Sequence, residues 1–188
     1  MSSTSFFAQE LTYEDFKSII PFLITEDYKG AFNRSQELLN SSKADTTDIR
    51  AQISYMNIYS SAGMVTLQQM SHKDFGENLK KFIGKKLKMP GHPCLDTIAK
   101  APFNSFQFLK NETGQLQGYT MVANKKKINI LLFEYYNFKD EYNTADFIGN
   151  TVRCGGILES FEVNPNNSLV WIGRLHLSNA YVRRFIPN

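Results

Sequence analysis

Cationic side chains crowd one short stretch of this chain: Lys80, Lys81, Lys85, Lys86 and Lys88 stand close together, and Lys125, Lys126 and Lys127 follow on a later turn. Such a density suits the offsetting of phosphates, and nucleic-acid recognition asks in addition for rings on which bases stack. Phe103, Phe106, Phe108 and Tyr119 are the rings that would supply them. The same lysines also fit an ordinary solvated face, because Lys80 and Lys81 suit a helix C-terminus and strand lysines blunt sheet edges. A second basic set, Arg174 and His176 followed by Arg183 and Arg184, begins in the most apolar run, Leu169 to Leu177. Projecting from one outward face, it would pair with acidic groups of a partner protein.

Nucleophile and metal chemistry would have to start from Gly91-His92-Pro93-Cys94-Leu95-Asp96, with Cys154 and His176 brought in by the fold. A metal needs three or four ligands in matched geometry, and this spacing is not a repeated Cys pair. A Cys94 nucleophile assisted by His92 or His176 lacks an identifiable oxyanion loop and orienting acid. The plainer reading makes His92-Pro93 a turn and Cys94 a small buried hydrophobe. Asp140-Glu141, Glu159 and Glu162 read as solvated carboxylates, and Gly149, Gly155 and Gly156 form no phosphate-cradling motif. No cofactor or metal is implied. The preferred function is therefore a non-enzymatic binding or adaptor protein that recognises a protein partner through a surface of helices and sheet. A nucleic-acid-binding module is the alternative, and a small hydrolase around His92 and Cys94 stands third.

The elements that must carry these residues change character along the chain. Of the 188 residues 42% are apolar and 13% aromatic, enough for a sizeable core built largely on Phe and Tyr. The charge balance runs −3 for residues 1–71, +7 for 72–127 and −1 for 128–188, so the basic character sits in the middle third. Thr12, Asp27, Thr47 or Asp48, and Ser71 precede four helical patterns, the first interrupted by Pro21. After Gly84 the periodicity becomes that of strands, with turns at Asn111-Glu112-Thr113-Gly114, Asn124 to Lys127 and Asn164-Pro165-Asn166-Asn167. Phe82-Ile83-Gly84-Lys85-Lys86-Leu87-Lys88 is echoed by Phe147-Ile148-Gly149-Asn150-Thr151-Val152-Arg153. In the second copy the apolar phase slips, and a bulge at Gly155-Gly156 would restore it.

The paired short helices, with Ala31-Phe32 and then Ala51, Tyr55 and Tyr59, resemble degenerate tetratricopeptide repeats. A long, bulged strand after an aromatic-Gly turn, from Asn143 to Leu177, resembles the first strand of OB-fold barrels of the tRNA-anticodon-binding-like type, which implies an oligonucleotide-binding surface. Either the barrel starts at Gly84 and the second copy is a later strand, or the echo is coincidental. The expected fold is α+β: a helical region over residues 1–83 packed on an antiparallel β-domain over 84–188, a small OB-like barrel or a sandwich, the two forming one compact unit. With no apolar run of membrane-spanning length and only two Cys, whose pairing the sequence leaves open, the chain reads as a soluble cytoplasmic protein without a membrane partner.

Overall fold

A computed structural model describes residues 10–42, 47–96 and 103–185. Each of the longer helices begins at a side-chain cap. Helix α1 (Tyr13–Lys17) opens on a capping box in which Asp15 N donates to Thr12 Oγ1 and Thr12 N donates to Asp15 Oδ2. Pro21 falls in the first turn of a second short helix, α2 (Ile20–Ile24), where its missing N–H costs nothing, so the interrupted pattern resolves into two pieces. Asp27 caps α3 (Tyr28–Ser41), Thr47 caps α4 (Asp48–Thr66) and Ser71 caps α5 (His72–Lys80).

Helix α4 is the axis of the helical layer. It is buried around nearly its whole circumference rather than along one stripe. Small residues make this close approach possible: a Cβ at Gly63 would come within 2.3 Å of the Tyr28 ring. Asn57 ties three helices, accepting from Asn78 Nδ2 at 2.9 Å and donating to Ser35 Oγ at 3.0 Å. Helices α3 and α4 form one pair, and among the described residues the remainder of α4 is covered by α1, α5 and the sheet.

The strands are β1 (Lys86–Lys88), β2 (His92–Leu95), β3 (Phe106–Lys110), β4 (Leu116–Ala123), β5 (Ile130–Phe138), β6 (Thr151–Val163) and β7 (Trp171–Arg184). They form a mixed sheet in the order β1-β6-β2-β3-β4-β5-β7 that closes into a ring through β6–β7, without the regularity of a barrel. The α+β class therefore holds, but β2–β3 and β5–β7 are parallel pairs in a sheet expected to be antiparallel throughout. His92-Pro93 starts β2 instead of making a turn. It pairs with Val152 and Thr151 of β6, and a proline is tolerated at such a strand start because it owes no ladder hydrogen bond there.

The sequence echo is a structural one. Gly84 and Gly149 both adopt positive φ, +74° and +79°, after a helical turn carrying Phe82 or Phe147, and each turns the chain into a strand. Those strands, β1 and β6, pair antiparallel, with Lys88 opposite Gly155. In β6 the buried phase runs through Val152, Cys154, Gly156 and Leu158, and slips at Glu159, where the register against β7 shifts. The shift beside Gly155 adds its extra residue to β7, where Asn179 has φ of +46°. One hydrophobic cluster runs through both layers, joining Ile53 and Ile58 of α4 and Phe75 of α5 to Leu132, Leu158 and Leu175.

Candidate functional site

Strand alternation at the start of β6 and the end of β7 sends two kinds of chemistry to opposite sides. Val152, Cys154 and Val182 point into the core. Arg153 stands opposite Arg183, and Gly155 stands opposite both Tyr181 and Lys88, so Lys88, Arg153, Tyr181 and Arg183 share the other face. With Arg184, Phe185, Asp48 from α4 and Tyr13 from α1 they line an open cleft of about 650 Å³.

Glycine is required at position 155. A Cβ there would lie 2.5 Å from the Leu87 carbonyl oxygen and 2.7 Å from the Tyr181 hydroxyl, so its absence lets β1 pair and lets Tyr181 lie across β6. Aromatic rings then hold two guanidinium groups: Arg153 sits 4.1 Å from the Phe185 ring centre and Arg183 sits 5.2 Å from that of Tyr181. Asp48 takes both neighbouring lysines, at 2.6 Å from Lys86 and 2.7 Å from Lys88. Hydrogen bonds from Lys86 and then Lys88 lower its carboxyl from 3.8 to about 2. Burial, and then the Asp48 charge, push the Tyr181 hydroxyl up to about 12. Among the described residues Arg153, Arg183 and Arg184 enter no ion pair. The cleft thus sets four cations against one carboxylate, and its fixed guanidinium planes suit bidentate recognition of carboxylate or phosphate.

The two basic sets singled out in the sequence are redistributed. Lys88 lines the cleft and Lys86 reaches it through Asp48, while Lys85 lies beside it, lining a smaller depression with Thr47 and Arg50. Lys80 pairs with Glu77 at 2.7 Å, and Lys81 is exposed on the same helix end. Lys125, Lys126 and Lys127 are elsewhere. Lys125 donates to the Ile24 carbonyl beside Tyr28, which packs on Gly63, about 22 Å along α4 from Asp48. Three of the four proposed stacking rings do not join them: Phe106 is fully buried, Phe108 packs on Phe138 and Phe147, and Tyr119 packs on Phe133 and Tyr135, while Phe103 forms an isolated bridge with Met121 of β4. Of the second set, Arg183 and Arg184 belong to the cleft. Arg174 instead pairs with Glu162 at 2.9 Å and lies over Trp171, and His176 stacks on Tyr135.

Thiol chemistry has no support in this geometry. Cys94 and Cys154 are free and buried, and burial, then the charge of Asp96, raises the Cys94 thiol to about 11. His92 turns its Nδ1 to the Asn104 carbonyl oxygen at 3.1 Å, and His176 lies on the outer face with Glu162. Among the described residues no group of His, Cys, Asp and Glu has the placement to hold a metal.

A second concentration of polar groups, which the sequence reading passed over, lies inside the ring. Glu134 Oε2 accepts from Tyr136 Oη at 2.6 Å and from Thr120 Oγ1, and the Tyr55 hydroxyl of α4 lies beside the same carboxylate. All four side chains are closed off from solvent.

Arg153, Tyr181, Phe185, Asp48 and Tyr13 were likewise not anticipated as site residues. A signal for Arg153 was present in the echo, which aligns it with Lys88; both copies deliver their basic residue to the same cleft from antiparallel strands. The chain matches no protein family, no curated protein and no solved structure.

Proposed function

We propose that this is a non-enzymatic binding protein that receives an acidic segment of a partner protein in the cleft between α1, α4 and the ends of β6 and β7. One observation carries the reading: three arginines without acidic partners among the described residues share one cleft, two of them already laid on aromatic rings. Ordering a guanidinium before the partner arrives lowers the entropy lost on binding, and a fork of N–H donors reads a carboxylate in two contacts. The cleft is built from helix and strand together, the composite surface a binding or adaptor protein requires.

Nucleic acid is the second reading, supported by Lys86 and Lys88 beside three cleft rings. It is weaker because a strand of phosphates needs a continuous cationic track. Here Lys80 and Lys86 are engaged by Glu77 and Asp48, and the lysines from 125 to 127 lie at the far end of α4. Fluorescence anisotropy with a labelled oligoglutamate peptide and with labelled single-stranded RNA separates the two. The peptide is expected to bind, more weakly as salt rises, and to be lost in Arg153→Gln/Arg183→Gln. RNA binding without peptide binding would replace the first reading by the second, and the absence of both would end both.

A further inference from the structure

The opposite end of β7 carries a different surface, made of other residues. Strands β5 and β7 run parallel, so their starts lie together, joined by Ile130 N donating to the Val170 carbonyl oxygen at 3.0 Å and by Asn129 Nδ2 donating to Leu169 O at 2.8 Å. The β4–β5 turn beside them reaches the end of α2 through Lys125, which donates to Ile24 O. Ile24, Ile128 and Val170 stand out at this tip with 61%, 70% and 64% of their surface exposed, the three highest values for large hydrophobic side chains among the described residues. Lys125, Lys126 and Lys127 stand among them, against Glu26 and Asp27.

Those two carboxylates are already engaged within the fold. Glu26 Oε1 accepts from Lys125 N at 2.8 Å and from Tyr28 Oη at 2.9 Å, and Asp27 Oδ1 accepts from Gly30 N at 2.9 Å. Three further backbone donors of the tip are engaged as well. Ile128 N donates to Asn124 Oδ1 at 3.0 Å, Lys127 N to Asn124 O at 2.9 Å, and Val170 N to Ser168 Oγ at 3.2 Å. A tip whose exposed Ile128 and Val170 have their own amides satisfied within the fold meets the main requirement for those side chains to enter a medium poor in hydrogen-bond partners.

We infer that this tip docks on a membrane surface carrying anionic lipid, with Ile24, Ile128 and Val170 entering the interface and Lys126 and Lys127 among the headgroups. A protein partner fits the tip less well, because a stable protein interface uses roughly 20–30 residues a side. An interfacial anchor needs only a few apolar side chains joined to cations. The inference is independent of the cleft, whose residues lie at the far end of β7.

Trp171, next to Val170 and the single tryptophan of the chain, reports the event. The full chain is mixed with vesicles of phosphatidylcholine alone, and with vesicles in which about one-third is phosphatidylserine, and binding is read by co-sedimentation and by the Trp171 emission maximum. The expected result is binding to the phosphatidylserine vesicles with a blue shift, weakened about tenfold or more both by Ile128→Ser/Val170→Ser and by Lys126→Gln/Lys127→Gln. Because all four side chains are exposed, these variants keep the wild-type circular dichroism spectrum. Absence of binding, equal binding to both vesicles, or binding kept by the Ile128→Ser/Val170→Ser variant and abolished by Arg183→Gln/Arg184→Gln would overturn the inference.

Discussion

Arg153 and Cys154 are neighbours in β6, and their side chains enter two regions with comparable concentrations of polar atoms and opposite relations to solvent. On the inside, Cys154 lies by Tyr136, Glu134, Thr120 and Tyr55, with every side chain at 1% exposure or less. On the outside, Arg153 lies by Phe185, Arg183, Tyr181 and Lys88 around an open cleft. The inner group has the more catalytic composition: a carboxylate, three hydroxyls and a thiol. Yet burial raises the Tyr55 and Tyr136 hydroxyls far above their usual range, so both stay neutral, and Tyr136 donates to Glu134. Glu134 joins β4, β5 and α4 around one carboxylate, and Oε1 of that carboxylate and the Tyr55 hydroxyl close no hydrogen bond. The hydrogen bonds tie β4 to β5 while the Tyr55 ring brings α4 against them, whereas the outer group leaves three arginines without an acidic partner among the described residues. Composition alone would put the inner group first; access to solvent favours the outer one, the surface a partner can reach.

The strongest way to break this contrast is to remove one of the inner group's two tyrosines. Tyr136→Ala deletes a fully buried ring that packs on Phe106, and takes one donor from Glu134. It is expected to cost about 3–5 kcal/mol in urea unfolding, while the molecules that remain folded bind the oligoglutamate probe as wild type does. A cost under about 1 kcal/mol would mean that the inner group does not hold the layers together.

Gly155→Ala couples the two regions, since its Cβ would meet both the Leu87 carbonyl and the Tyr181 hydroxyl. The expected loss is about 1–3 kcal/mol of stability together with loss of probe binding, because β1 and Tyr181 must both move. By contrast, Arg153→Gln/Arg183→Gln should leave stability within about 0.5 kcal/mol and weaken probe binding more than tenfold. Calorimetric unfolding beside anisotropy separates these outcomes, and a large drop in stability for the arginine pair would place the cleft among the structural elements.

What the sequence made legible follows from how local each cause is. A capping side chain acts over three residues, so the starts at Thr12, Asp27, Thr47 and Ser71 could be read directly. Hairpin turns at Asn124 to Lys127 and Asn164 to Asn167 are equally local. The cleft is not, because Arg153 and Arg183 are brought opposite each other by the β6–β7 register with its two shifts, and Asp48 arrives from α4. Lysine density alone does not show which cations the fold already pairs: three residues along a helix Glu77 answers Lys80, and Asp48, far away in sequence, answers Lys86 and Lys88. Glu134 was hidden by its surroundings, since within Leu131-Leu132-Phe133-Glu134-Tyr135-Tyr136 an acid reads as an outward interruption of a strand, whereas alternation places it inside with Leu132 and Tyr136.

Asp48 offers the smallest and most discriminating test, because it belongs to the outer region and yet is linked to folding. Hydrogen bonds from Lys86 and Lys88 hold its carboxyl down from the ordinary 3.8 to about 2 in the folded chain. A depressed carboxyl contributes stability that is complete above about pH 4 and is lost as the pH falls through about 2. With half of the side chain exposed, solvent screening keeps that contribution under about 1 kcal/mol. Asp48→Asn should therefore be slightly less stable than wild type at pH 7 and indistinguishable from it below about pH 2. The same substitution frees Lys86 and Lys88 and removes the one carboxylate that lines the cleft among the described residues, so oligoglutamate should bind a few-fold more tightly even as the fold weakens. Opposite signs for stability and affinity are what a cleft open to an anionic partner requires; a fall in both would assign Asp48 to structure alone.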